Sequence, residues 1–98
     1  MTTDKPEAKD TDAPQTEALP RRMSVIGIVV SDRGFAGSRV NTVLSQFGNI
    51  IVARTGVPWR EGGGGVISLI VDANTNELGA LTGKLGMIRH VRVRSVML

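Results

Sequence analysis

Gly79-Ala80-Leu81-Thr82-Gly83-Lys84-Leu85-Gly86 places two glycines ahead of a lysine, the raw material of a loop that cradles a nucleotide phosphate. Such a loop needs four residues between its glycines and, after the lysine, a Ser or Thr whose hydroxyl holds magnesium. Here Ala80, Leu81 and Thr82 alone separate the glycines, and Leu85 stands where the hydroxyl belongs. Glu77, Leu78, Leu81, Lys84, Leu85 and Ile88 recur at helical spacing, so the stretch reads as a helix in progress rather than a strand-to-helix turn. Its glycines then read as sites where that helix packs closely on a sheet or on a neighbouring subunit.

Other residue sets suit binding better than catalysis. Asp32-Arg33-Gly34, with Gly37 beyond, falls where free backbone N–H groups and a helix dipole can receive a carboxylate. The same residues also suit a plain helix cap and turn. Trp59-Arg60-Glu61 offers the sole tryptophan beside an arginine, a composition typical of subunit contacts, with base or ligand stacking as the other reading. Arg60-Glu61 can equally be a solvated ion pair, worth under about 1 kcal/mol. Toward the end, period-two alternation puts His90, Arg92 and Arg94 on one strand face and Val91 and Val93 on the other. Such a cationic row, with Arg89 beside it, either meets phosphates or is solvated and discourages edge pairing. No serine has a base at recognisable spacing, and a lone His without any Cys makes no metal site, so no enzyme, metal or cofactor is expected.

The elements that must position these residues follow from the patterning. Residues 1–22 carry Pro6, Pro14 and Pro20, no aromatic and Leu19 as the single large aliphatic, so a disordered tail is expected ahead of a domain over 23–98. No secretory signal or membrane-length apolar run occurs, which suits a soluble cytoplasmic chain. From Met23 onward eight cationic side chains face four acidic ones, a surplus of +4 suited to an anionic partner. Ser24–Ser31 reads as a strand. Ala36, Val40, Val43, Leu44 and Phe47 mark a helix that Gly48 ends. Ile50–Thr55 and Val66–Val71 read as a hairpin whose tip, Gly62 to Gly65, holds no regular structure. Asn74 with Glu77 resembles a capping box opening a second helix, Gly86 closes it, and His90–Val96 is the last strand.

The order is that of a ferredoxin-like βαββαβ sandwich, an α+β fold with a four-stranded antiparallel sheet and two helices on one face. The first and third strands are apolar at nearly every position, where a one-sided sheet should alternate. About 75 residues also bury little on their own. Both features point to a homo-oligomer, dimer or tetramer, formed through sheet faces or edge strands.

Asp32-Arg33, Val40-Asn41, Leu44, Phe47, Ile51, Arg54, Gly56, Pro58, Arg60-Glu61, the Gly79 to Gly86 block and Val91-Arg92-Val93 together resemble the family of iron-only hydrogenase system regulators. The resemblance spans residues 23–98 and implies an ACT-like domain, similar to amino-acid-sensing modules and to the ligand-binding domain of the nickel-responsive repressor. It implies a transcriptional or regulatory role, an oligomer and a small amino-acid-like or anionic effector near Asp32, Arg33, Gly34 and Gly37. The ACT turn carries a proline that this chain lacks, which leaves Gly34 as the position that transfers. The repressor's nickel site uses several His plus Cys where this chain has His90 and no Cys, and the first 22 residues supply no ribbon-helix-helix. Two alternatives are direct nucleic-acid binding through Arg89, Arg92 and Arg94, and structural assembly with hydrogenase maturation proteins. DNA is then reached either directly or through a partner protein.

Overall fold

The computed structural model describes residues 19–98 apart from Arg33, Arg60 and Gly62. The tail expected over residues 1–22 therefore lies, up to residue 18, outside the described residues. Six elements follow in order: β1 (Arg22–Val30), α1 (Phe35–Gln46), β2 (Ile51–Trp59), β3 (Gly64–Ala73), α2 (Thr75–Gly86) and β4 (Val91–Met97). The strands form one sheet in the order β2-β3-β1-β4 with every neighbouring pair antiparallel, so the expected ferredoxin-like arrangement is observed. No helix among the described residues is long and apolar enough to cross a membrane.

The helices cover one sheet face. Alternate residues Ile26, Ile28 and Val30 of β1 and Leu69, Val71 and Ala73 of β3 meet Ala36, Val40 and Leu44 of α1 and Leu81 and Leu85 of α2, all of them buried. The four-residue spacing on α1 and α2 gives each helix a single apolar stripe, which is what fixes its rotation on the sheet. At roughly 1.5–3 kcal/mol for each large aliphatic removed from water, this layer drives folding.

Local chemistry sets the helix starts. Asp32 Oδ1 accepts from the N–H groups of Gly34 at 3.0 Å and Phe35 at 3.3 Å, so its carboxylate caps α1. For α2, Asn74 Oδ1 accepts from the Glu77 N–H at 2.8 Å while Glu77 Oε1 accepts from the Asn74 N–H at 3.0 Å, a reciprocal capping box. Glu77 also holds Arg21 at 3.0 Å, and Arg21 lies 3.5 Å from Asp72, tying the segment before β1 to the start of α2.

Three expectations change. The glycine run is not all turn, because β3 begins at Gly64, opposite Trp59, and Gly65 lies opposite Pro58. A Cβ on Gly64 would stand 1.6 Å from the Val30 carbonyl oxygen, so the missing side chain is what lets β3 close against β1 there. The turn itself is made at Gly63, whose φ of 73° suits glycine. Pro58 is tolerated because β2 is an edge strand. His90 stands outside β4 with a φ of 69°, its carbonyl accepting from Ser31 N–H at 2.8 Å, so it does not share the face of Arg92 and Arg94. Gly79, Gly83 and Gly86 are exposed, and a Cβ on any of them would meet nothing within 4 Å. Close packing of α2 on its own sheet is therefore not their role.

Among the described residues nothing covers the second sheet face. Register places Val96, Val25, Ile70 and Ala53 in one cross-strand row, Arg94, Gly27, Ser68 and Thr55 in the next, and Arg92, Val29, Val66 and Val57 in a third. Val96 is 61% exposed and Ile70 37%, with Met23 and Val57 exposed on the same face.

Candidate functional site

β2 projects past the helices, and every residue of it after Ile51 is exposed. Between its inward side and the first turns of α1 opens a cleft of about 810 Å³. Gly34, Gly37 and Asn41 line the α1 wall, and Arg54, Gly56 and Pro58 line the facing strand. The three glycines leave both walls shallow, so backbone is reachable from the cleft. Alternation along β2 turns Arg54 inward, where its Nη2 donates to Asn41 Oδ1 at 2.6 Å. A guanidinium has five N–H donors, and this bond holds its plane while leaving others for a ligand. Thr42 and Ser45 donate their hydroxyls to backbone carbonyls one turn back, at 3.1 and 3.0 Å. Among the described residues, Arg54 is the cationic group that lines the cleft.

The expected site residues are distributed as follows. Gly34 and Gly37 are brought together in the cleft, and Asp32 stands behind it as the α1 cap; Arg33 lies outside the described residues. Trp59 ends β2, is 40% exposed and falls opposite Gly64. Glu61 is exposed in the turn that follows, and Arg60 lies outside the described residues. On the second sheet face Arg94 lies opposite Gly27 and Arg92 opposite Val29. Arg89 does not join them, because it precedes β4 and lines a groove on the helix side. Arg54 and Asn41 were absent from the site expected from sequence. A cation breaking an apolar strand was the available signal, but only the facing of β2 against α1 gives it meaning. Among the described residues no three of His, Cys, Asp and Glu gather as a metal site would require.

Known proteins bear on this geometry. A family model described as "TM1266-like: Iron-only hydrogenase system regulator, putative" matches residues 22–95. The solved structure of TM1266 from Thermotoga maritima is 41% identical, with a TM-score of 0.77 over 80% of this chain and 98% of that one. A protein from Galdieria sulphuraria shares the fold at 16% identity and a TM-score of 0.53, over 80% of this chain and 45% of that one. Among curated proteins none matches the chain.

Proposed function

This chain belongs to the TM1266-like family of iron-only hydrogenase system regulators, and on that premise we propose that it is a non-catalytic, cytoplasmic regulatory module whose α1–β2 cleft takes a small anionic or amino-acid-like effector. The observation that carries this reading is the meeting of Arg54, oriented by Asn41, with the glycines Gly34 and Gly37 in one open cleft. A carboxylate there gains charge-assisted hydrogen bonds from the guanidinium and close approach to backbone. Asp32 already satisfies the first N–H groups of α1, so the anion is held by Arg54 and not by the helix terminus. The apolar open face supports assembly with further copies, and any transcriptional output passes through a partner.

Direct nucleic-acid binding is the weaker reading, since Arg89 lies apart from Arg92 and Arg94 and the cationic row has two members rather than three.

A thermal-shift screen of amino acids, dicarboxylates and small phosphorylated acids tests the effector site. A ligand at a hundred times its Kd stabilises by about 2.7 kcal/mol, raising Tm by several degrees. Arg54→Ala is expected to abolish the rise while leaving the unliganded Tm nearly unchanged. A folded protein that no compound stabilises, or a rise that survives Arg54→Ala, sinks the assignment.

A further inference from the structure

On the helix side, α1 and the end of α2 enclose a second concavity of about 830 Å³ that the effector reading does not use. Its floor is apolar, made by the half-buried Val43 and Ile88 with the exposed Phe35 and Met87 beside them. Phe35 is 52% exposed and Met87 85%, although the helices already bury the side chains the core requires. A flexible thioether beside an exposed ring is adaptable contact surface, the composition that receives an amphipathic helix in a groove.

The rim is cationic. Arg39, Lys84 and Arg89 surround the floor, and no carboxylate lines it among the described residues. The Arg39 guanidinium lies 4.7 Å from the Phe35 ring centroid, and Lys84 Nζ reaches Gln46 Oε1 at 3.4 Å. Both cations are thereby steered to the groove without being neutralised. The ion pairs among the described residues are those of Arg21 with Asp72 and Glu77, at the other end of the domain.

We propose that this groove docks an acidic amphipathic helix from a partner protein, its apolar stripe on the floor and its carboxylates on Arg39, Lys84 and Arg89. Charge complementarity fixes the sign of the occupant, and the location of this chain's own acids makes it a different chain. Asp32 caps α1, Asp72 and Glu77 hold Arg21, and Glu61 alone remains among the described residues, so a second copy offers no acidic stripe. Residues 1–18 contain Asp4, Glu7, Asp10, Asp12 and Glu17 but no large apolar residue apart from Met1, so they match the rim and not the floor. Nucleic acid would also match the rim while leaving Val43, Met87 and Ile88 uncovered. The 12 residues of α1 span about 18 Å at 1.5 Å per residue, which sets the docked helix at about three turns.

Selection of a displayed random library of about 16-residue peptides on the full chain is the test, with the variants Met87→Glu and Arg39→Glu/Arg89→Glu as counter-targets. Circular dichroism and Tm confirm first that both variants fold, as exposed positions should allow. Enriched peptides are expected to carry Asp or Glu in excess and apolar residues at i, i+3 or i+4, and i+7. By fluorescence anisotropy each should lose about tenfold or more in affinity on either variant, the charge-reversal loss shrinking at high salt. No enrichment over an unrelated basic protein, enrichment without acidic bias, or affinity unchanged in both variants overturns the proposal. So does a labelled DNA duplex that binds the full chain and is lost with the same substitutions, or an assembly mass that falls in Met87→Glu, which would give the groove to DNA or to a second copy.

Discussion

Gly64 is the residue at which the backbone leaves no choice. The nearest atoms to a Cβ placed there are backbone atoms of Val30 and Ser31, at 1.6 to 2.9 Å, so no side-chain rotation relieves the clash. Gly64→Ala must push β3 away from the end of β1, and a loss of at least about 3 kcal/mol is expected. Urea unfolding measures it, and a loss below about 1 kcal/mol would show that the strands separate easily there. Arg54 is the contrasting case, an exposed side chain whose loss should cost function and little stability. Neither residue could be weighed from sequence. A run of four glycines reads as a flexible tip unless one knows that a second backbone passes within contact distance. Arg54 reads as a polar residue of an edge strand unless one knows which helix it faces.

Among the elements, α2 combines a strong start with a weak interior. Its capping box was legible because Asn74 and Glu77 interact within four residues of sequence, whereas the role of its glycines depends on what lies across from them. Gly79 and Gly83 are helix-interior, exposed and free of neighbours. Each gives up about 1 kcal/mol relative to Ala, so Gly79→Ala/Gly83→Ala is expected to gain about 1–2 kcal/mol and raise Tm by several degrees at unchanged subunit number. If Tm falls and the assembly dissociates together, that helix face is instead in contact with another copy. The element order itself was legible, since β1 and β3 are continuous apolar runs of strand length while α1 and α2 carry the helical period. The reach of β2 to Trp59 was not, because Gly56 and Pro58 are poor strand formers that an edge position accepts.

For the molecule as a whole, the open sheet face is the feature that a lone subunit leaves unexplained. Val25, Ile70 and Val96 form an apolar row across three strands, with no helix above it among the described residues. Covering that row with the same row of a second copy is the self-complementary solution that two-fold symmetry provides. The wild-type chain is therefore expected to run as a dimer or tetramer in analytical ultracentrifugation, and Ile70→Asp to shift it to monomer with a lower Tm. A wild-type monomer at micromolar concentration, or an Ile70→Asp oligomer of unchanged mass, would remove this interface. The paired arginines Arg92 and Arg94 at the margin of the face set the sign of what can approach it, and high salt should favour association of two such copies.

Ser38 and Thr42 belong to both concavities, lining the cleft on one side of α1 and the groove on the next. The helix is thus a party wall, and an occupant on either side bears on the same turns of backbone. Linkage then runs equally in both directions: if filling the cleft tightens peptide docking tenfold, docking tightens the effector by that factor, about 1.4 kcal/mol. A titration of each in the presence of the other reads this coupling directly, and affinities unchanged by the second occupant would show that the two sites are independent. The chain would report a small molecule to a protein and, with no added part, the protein to the small molecule.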